Sequence, residues 1–322
     1  MSWLVTGGAG YVGAHVVHAM VAAGEQVVVL DDLSTGDAGR LTGLPHVPVE
    51  IGSVRDRGMV RRVLREHGVT GVVHLAGKKQ VAESVADPLL YWAENVEGTV
   101  ALLEGCRAKG VSRVVFSSSA SVYGTPDVER VDEDTVCRPL SPYGRTKLAG
   151  EDLLRDCATW GLAATSLRYF NVAGAAAPEL GDRGAANLVP LVFAALDAGR
   201  PPQLFGDDHP TPDGSPVRDF VHVSDVADAH VAAARALAAG RPGGTYNVGR
   251  GEGSSVREVL RVVAEVTGGD TAPEVVGRRP GDPPRVVAAV DRIGRDLGFR
   301  ATRDLREMVT SAWTAWRALQ PL

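Results

Sequence analysis

The chain has 322 residues, of which 34 are basic and 39 acidic, so its formal net charge is −5. Hydrophobic residues make up 44% of the chain and charged residues 23%, which is typical of a folded protein with a substantial core. The acidic balance argues against a nucleic-acid partner, because sequence-independent binding needs a basic surface. No apolar run approaches about 18 residues, so no membrane-spanning helix is expected.

The N-terminus and the cysteines bear on the cellular compartment. The first residues lack a basic segment followed by an apolar one, so we expect no secretory signal. Cys106, Cys137 and Cys157 lie far apart, without the spacing of metal ligands. This pattern predicts reduced thiols, no metal site and a cytoplasmic protein.

The first half of the chain alternates short apolar runs with amphipathic segments. The apolar runs predict strands ending at residue 5 and spanning 26–30, 46–51, 71–76, 112–118 and 163–170. The amphipathic segments predict helices at 15–23, 56–67, 89–109 and 143–161. Strands that alternate with helices form right-handed βαβ units, so the pattern predicts an α/β fold with a Rossmann-type, doubly wound parallel sheet.

The second half is less regular, with glycine and proline clustered between shorter elements. It predicts a strand at 217–221 and helices at 188–198, 224–238, 255–267 and 303–318. We therefore predict a dinucleotide-binding domain over 1–171, to which segments from about 217–248 return. Residues 172–322 are expected to form mainly a smaller, substrate-binding lobe.

A glycine-rich segment at 6–13 follows the first strand and opens the first helix. Gly7, Gly10 and Gly13 allow a tight turn, close approach of the backbone to a pyrophosphate and tight helix packing. The helix N-terminus itself favours an anion. Asp31 ends the second strand, where a carboxylate can accept hydrogen bonds from ribose hydroxyls. The adjacent Asp32 would repel a 2′-phosphate, so the segment predicts NAD rather than NADP.

A tyrosine and a lysine stand four residues apart at the start of the helix predicted at 143–161. Tyr143 and Lys147 would share one helix face. A neighbouring cation stabilises a phenolate, which would lower the pKa of Tyr143 and make it a general base and acid. Lys147 is one of only four lysines in the chain. Nearby, Ser119 ends a buried strand, and such strand ends point into the ligand crevice of α/β sheets.

These motifs resemble the extended short-chain dehydrogenases/reductases, and within them the UDP-glucose 4-epimerases. The resemblance covers essentially the whole chain. It rests on the segments 6–13, 117–124, 141–147, 168–175, 210–223 and 278–282. The glycine and Tyr/Lys motifs mark only the superfamily, whereas the segment 210–223 (Pro-Thr-Pro-Asp-Gly-Ser-Pro-Val-Arg-Asp-Phe-Val-His-Val) points to the epimerase branch.

The resemblance implies a set of site residues. The catalytic residues would be Ser119, Tyr143 and Lys147. Contacts to NAD would come from Gly7, Gly10, Tyr11, Val12, Gly13, Asp31, Asp32, Ser53, Val54, Lys79, Asn95, Tyr143, Lys147 and Tyr169. Contacts to a UDP-sugar would come from Ser119, Ser121, Asn171, Asn187, Leu188, Leu204, Phe205, Arg218, Arg279, Asp282 and Val286.

The chemistry of these residue types agrees with those roles. Arg218 and Arg279 can each fork onto a diphosphate. Asp282 can accept hydrogen bonds from ribose hydroxyls, and Leu204 and Phe205 can flank a uracil ring. In the family, an acidic residue often follows the third strand near the adenine. Here Ser53 takes that place and would bind more weakly.

The implied activity is the interconversion of UDP-glucose and UDP-galactose through transient oxidation at C4. In the family, a large tyrosine at the position of Val286 restricts the pocket to hexoses, so the small valine predicts activity on UDP-GlcNAc and UDP-GalNAc as well. A nucleotide-sugar 4,6-dehydratase is the nearest alternative. It would need an acidic pair where this chain has Ala120 and Ser121. A non-catalytic dinucleotide sensor is a second alternative.

Two long helices also resemble those that pair in dimers of the family. They are the helices predicted at 89–109 and 143–161. The resemblance therefore implies a homodimer.

Overall fold

The computed structural model describes residues 1–184, 187–279 and 281–318, so parts of the predicted second lobe at 185–186, 280 and 319–322 lie outside the described residues. The described strands are β1 (Ser2–Thr6), β2 (Gln26–Asp31), β3 (Val49–Ile51), β4 (Gly71–His74), β5 (Arg113–Ser119), β6 (Ala163–Tyr169), β7 (Asn171–Ala173), β8 (Gln203–Phe205), β9 (Val217–His222), β10 (Thr245–Val248), β11 (Gly253–Ser255), β12 (Glu274–Val276) and β13 (Arg285–Val286).

The described α-helices are α1 (Tyr11–Ala22), α2 (Arg57–Glu66), α3 (Val81–Ala86), α4 (Pro88–Tyr91), α5 (Gly98–Lys109), α6 (Pro142–Asp156), α7 (Leu188–Asp197), α8 (Val223–Ala238), α9 (Val256–Thr267), α10 (Asp291–Leu297) and α11 (Leu305–Ala318). A π-helical turn, Trp92–Glu97, joins α4 to α5. Short 3₁₀ helices lie at Ala38–Leu41, Ala120–Val122, Cys157–Trp160 and Pro178–Leu180.

Seven parallel strands form the main sheet, in the order β10-β6-β5-β4-β1-β2-β3. Successive side chains of β1 face opposite layers, as strand geometry requires. Trp3 and Val5 pack with α1 and α8, whereas Leu4 packs with α2 and α5. Helices therefore cover both faces of the sheet, which confirms the predicted Rossmann-type α/β fold.

The second half of the chain contributes to two structures. The strand at 245–248, which the sequence analysis did not predict, is β10, and it pairs with β6 at the edge of the main sheet. The predicted strand at 217–221 is β9, and it lies in a smaller sheet with β7, β11 and β13. A separate hydrophobic cluster joins α7, α9 and α11. The exact division between the two units stays a prediction.

The helix predicted at 89–109 is interrupted. Pro88 starts the short α4, the π-helical turn follows, and α5 begins only at Gly98.

Among the described residues, no helix is long and apolar enough to cross a membrane. In the same part of the chain, no three histidine, cysteine or acidic side chains are placed to share a metal ion.

Candidate active site

The glycine-rich loop between β1 and α1 has no room for side chains at its glycines. Gly7 has a φ of 71°, and a Cβ there would lie 2.7 Å from the Ala76 nitrogen. A Cβ on Gly13 would lie 2.0 Å from the Gly7 oxygen, and one on Gly10 would lie 3.2 Å from it. No side chain caps the N-terminus of α1. The loop is therefore a cradle without side chains that presents helix N–H groups to an anion.

Asp31 lies directly beside this loop at the end of β2. Its carboxylate accepts hydrogen bonds from the Ala9 N–H at 2.9 Å and the Leu33 N–H at 2.8 Å. Burial raises the pKa of Asp31, and these two bonds oppose the rise. Asp32 next to it is exposed and accepts from the Ser34 N–H at 2.9 Å. The backbone thus fixes the carboxylate at the place where an adenosine ribose would need an acceptor.

The buried Arg40 supports the glycine-rich loop, and no motif in the sequence predicts this role. Its buried guanidinium donates to the carbonyls of Ala9 at 3.1 Å and Gly181 at 3.2 Å. Tyr11 makes a second link of this kind, because its hydroxyl donates to the Gly174 carbonyl at 2.5 Å. No local spacing marks Arg40, since its partners lie far away in the chain.

Asn95 holds the loop that follows β4. Its amide accepts from the Lys78 N–H at 2.7 Å and donates to the Lys78 carbonyl at 3.0 Å and the Thr146 hydroxyl at 2.9 Å. Asn95 therefore ties the Lys78–Lys79 loop to α6. The Lys79 ammonium lies 5.8 Å from the ring centroid of Tyr11.

The remaining residues predicted to contact NAD lie around the same strand ends. Ser53 and Val54 follow β3, where the Ser53 hydroxyl accepts from the Arg55 N–H at 3.2 Å and Val54 is buried. Val12 lies in the first turn of α1 and packs on the core. They thus lie at the same sheet edge as the cradle and Asp31.

Tyr143 and Lys147 lie on the first two turns of α6, beside the end of β5. Ser141 caps this helix by accepting from the Gly144 N–H at 3.1 Å. The Lys147 ammonium donates to the Ser117 carbonyl at 2.9 Å and lies 6.0 Å from the ring centroid of Tyr143. The Ser119 hydroxyl lies near enough to the Tyr143 phenol to lower the pKa of that phenol. The structure thus brings the three predicted catalytic residues together.

The pKa values in this group differ from the expectation. Burial raises the pKa of Tyr143, and only the hydrogen bond with Ser119 opposes the rise. Burial also lowers the pKa of Lys147 to about 8. The predicted lowering of the phenol pKa by the ammonium is therefore wrong for the chain by itself, because desolvation dominates.

Three buried side chains, those of His230, Ser117 and Tyr169, lie behind the triad near the end of β6. The Nδ1 atom of His230 bonds the Val226 carbonyl at 2.8 Å, so it carries the proton and Nε2 accepts from the Ser117 hydroxyl at 3.2 Å. The Ser117 hydroxyl also lies near the Tyr169 phenol, where it opposes the rise in the pKa of Tyr169 that burial causes. Burial lowers the pKa of His230 to about 4, so the ring is neutral. Tyr169 thus borders the triad.

The predicted diphosphate ligands pair within the chain. Arg218 on β9 forms an ion pair with Asp282. The Arg279 guanidinium lies over the ring of Phe205, 3.7 Å from its centroid. Four predicted ligands are thus brought together in two pairs.

The other predicted UDP-sugar residues are more dispersed. Leu204 is fully buried in β8, so its side chain is not free to flank a base. Asn187 precedes α7 and donates to the Asp182 carboxylate at 2.6 Å, and Leu188 packs on the cluster around that helix. The Ser121 N–H donates to the Ser119 hydroxyl at 3.1 Å. Asn171 is exposed on β7, and Val286 is buried on β13.

Comparison with known proteins agrees with this geometry. The model of the NAD dependent epimerase/dehydratase family matches residues 3–249. The chain belongs to this family. A UDP-glucose 4-epimerase from Azospirillum brasilense is 44% identical over 97% of this chain and 91% of its own length.

Solved structures extend the similarity over the whole fold. A UDP-glucose-4-epimerase from Stenotrophomonas maltophila, crystallised with NAD and formylated UDP-arabinopyranose, has a TM-score of 0.93 and 40% identity, with 99% of this chain and 98% of that chain covered. A UDP-Glc/GlcNAc 4-epimerase from Campylobacter jejuni has a TM-score of 0.86 and 33% identity, with 98% and 99% covered.

Proposed function

We propose that this protein is a UDP-glucose 4-epimerase that interconverts UDP-glucose and UDP-galactose with NAD as its resident cofactor. The observation that carries the proposal is the placement of Tyr143 and Lys147 on α6 beside Ser119, at the same sheet edge as the glycine cradle. The full-length similarity to enzymes of this name supports it.

The cradle, Asp31 and Tyr169 are the groups that would hold the cofactor. The helix N-terminus would bind the pyrophosphate and Asp31 a ribose. When bound, NAD would supply a reversible hydride acceptor and a positive charge. A positive charge stabilises a phenolate. The charge of the Lys147 ammonium alone does not offset the effect of burial on the pKa of Tyr143.

In the reaction, the Tyr143 oxygen takes the proton of the sugar 4-hydroxyl while C4 is oxidised. Ser119 holds the same hydroxyl by a hydrogen bond. The Ser117 carbonyl keeps the Lys147 ammonium on the phenol's side of α6. After the sugar has turned its other face to the site, Tyr143 returns the proton, so that C4 is inverted and the protein ends unchanged.

The sugar can turn only if the rest of the substrate is held. Arg218 and Arg279 are the side chains that can fork onto the diphosphate. Binding requires both to exchange partners, since Arg218 now pairs with Asp282 and Arg279 covers Phe205. We therefore expect Asp282 to turn to the uridine ribose and Phe205 to the base once the nucleotide is in place.

Incubation of the purified protein with UDP-glucose, without added NAD, tests the activity. We expect UDP-galactose as the product. A 4-keto-6-deoxy sugar would show a dehydratase instead, and an unchanged substrate would show a non-catalytic protein.

We also propose that the enzyme accepts UDP-GlcNAc and UDP-GalNAc. Val286 is small and lies on β13, beside the strand that carries Arg218. We expect Val286→Tyr to abolish turnover of UDP-GlcNAc and to spare that of UDP-glucose. A wild-type enzyme that converts only UDP-glucose would contradict this proposal.

A homodimer in the cytoplasm is the third proposal. One segment, α3 to the π-helical turn, exposes Val81, Val85, Leu89 and Trp92, with Leu89 as much as 78% exposed. Several large exposed apolar side chains in one short segment favour a protein partner. Light scattering of wild type and of Leu89→Glu tests it, with a dimer expected for the first and a monomer for the second.

A further inference from the structure

Four polar side chains form a hydrogen-bonded chain beneath the triad. They are Glu151 on α6, Arg168 on β6, Tyr123 after the Ala120–Val122 turn and Asn247 on β10. None is more than 4% exposed. None has a part in the proposed reaction, and buried polar groups of this kind are costly unless they are fully hydrogen-bonded.

At one end, this hydrogen-bonded network contacts the elements that carry the triad. Glu151 lies one helical turn after Lys147, and its carboxylate accepts from the Ser118 hydroxyl. The same carboxylate accepts a two-pronged bond from Arg168, at 2.8 and 2.6 Å. Because Ser118 alternates with Ser117 and Ser119 along β5, this contact fixes the strand end against the helix that carries Tyr143.

The other end grips the wall segment, which we define as residues 285–289. Arg168 donates to the Tyr123 hydroxyl at 2.9 Å, and this hydroxyl donates to Asn247 Oδ1 at 2.7 Å. The amide of Asn247 donates to the carbonyls of Val131 at 2.8 Å and Ala289 at 3.4 Å.

Residue 131 itself belongs to this wall. The Val131 N–H donates to the Val287 carbonyl at 2.8 Å, and the Ala289 N–H donates to the Val131 carbonyl at 2.8 Å. The wall segment also carries Val286, which packs in one hydrophobic cluster with Tyr123. The Tyr123 hydroxyl thus links the triad's supports to the wall's supports by side chains, beside a second link in which Glu133 accepts from Arg168 at 3.3 Å and from the Asn247 N–H at 2.8 Å.

We propose that Tyr123 is a positioning residue for the epimerisation, and that its hydroxyl fixes the distance between the triad and the wall segment. The inference rests on the proposed function, because that reaction needs the sugar to present C4 to Tyr143 from two orientations. A wall that shifts by a fraction of an ångström changes the fit in both orientations. Arg218 on the neighbouring β9 is held in addition by the pairing of that strand with β7 and β11, so we expect the diphosphate anchor to shift less.

Tyr123→Phe removes this one hydroxyl and keeps the ring that packs against Val286. Asn247 Oδ1 then loses its buried donor, and Arg168 loses one acceptor but keeps Glu151. We expect kcat for UDP-glucose to fall by about ten- to a hundredfold, the size of effect that small misplacements have. We expect KM and the Kd of UDP to change by much less than kcat.

The matched control is Tyr246→Phe. Tyr246 precedes Asn247 on the same strand but packs in the core on the α8 side of the sheet. We expect it to keep the wild-type kcat, so that a general effect of replacing a tyrosine by phenylalanine on this strand is excluded. Calorimetry on each variant shows that the folded enzymes are being compared.

Asn247→Leu cuts the same path from the wall side and should show the same split between kcat and KM. The double variant with Tyr123→Phe should be no slower than the slower single variant, since both act through one hydrogen bond. If Tyr123→Phe does not fold, Asn247→Leu decides alone. Wild-type kcat in the folded variants, or a parallel loss of kcat and UDP affinity, overturns the inference while the proposed function stands. A wild-type protein without epimerase activity overturns both.

Discussion

The two halves of the candidate site are prepared for their ligands in different ways. On the cofactor side, the backbone shapes the site: glycines leave the cradle free of side chains, and two N–H groups hold Asp31. On the nucleotide side, charged side chains satisfy one another, as in the Arg218–Asp282 pair. If both sites bind as proposed, the cofactor side needs little rearrangement, whereas the charged side chains on the nucleotide side have to exchange partners.

Tyr143 lies between the two halves, so its substitution gives the largest expected effect on rate and none on binding. Tyr143→Phe removes the atom that carries the proton, and general acid–base groups contribute about 10²–10⁴-fold. We expect kcat to fall by that amount while the Kd of UDP and the content of bound NAD stay as in wild type. A near-normal rate would dispose of the assignment.

Gly13→Ala breaks the cofactor side alone. Its Cβ would meet the Gly7 oxygen at 2.0 Å, a backbone atom that cannot move without opening the loop. We expect the purified variant to lose most of its bound NAD, measured by absorbance and by release on denaturation. Gly10→Ala is the graded control, because its Cβ would meet the same oxygen at 3.2 Å and should cost less.

How far the sequence could predict this site depends on the range of the interactions. The glycine loop and the Tyr143–Lys147 pair are set by local spacing along one strand–helix unit, so they could be predicted. Arg40 and the Glu151–Arg168 pair could not, because each joins segments that only the fold brings together. The pKa of Tyr143 was predicted in the wrong direction for a related reason, since burial depends on the whole fold.

Strand partners show the same limit. The apolar run at 217–221 marks a strand but not its neighbour, and the structure places it in the smaller sheet. The edge strand β10 has only four residues between glycine-rich turns, too few for a periodic signal. Periodicity predicts which face of an element is buried, but tertiary packing decides which other element covers that face.

Arg218→Lys weakens the nucleotide side alone. Lysine keeps the charge but loses the planar fork that binds two phosphate oxygens or a carboxylate at once. We expect KM for UDP-glucose and the Kd of UDP to rise about tenfold, with little change in kcat or in bound NAD. Arg261→Lys, on the exposed face of α9, is the control and should change neither constant. An unaltered Kd in Arg218→Lys would remove this arginine from the binding site.

Asp219 gives the smallest expected effect on activity, and it sharpens the comparison because it is a carboxylate beside Arg218 that the backbone holds. It lies next to Arg218 and accepts from the N–H groups of Arg250 at 2.8 Å, Gly251 at 2.9 Å and Ala288 at 3.2 Å. Burial raises the pKa of Asp219 to about 6 all the same.

This raised pKa gives stability a pH dependence of known sign. The folded protein binds more protons at Asp219 than the unfolded chain does between about pH 4 and pH 6, so its contribution to the free energy of unfolding is present at low pH and lost as pH rises through 6. The full loss is about 3 kcal/mol. In Asp219→Asn we expect this contribution to the pH dependence of the unfolding free energy to vanish. Urea unfolding at pH 4.5 and 7 measures that dependence. The exposed Asp152→Asn on α6 should keep the wild-type slope, and an Asp219→Asn slope equal to wild type would mean that the carboxylate is ionised throughout this range.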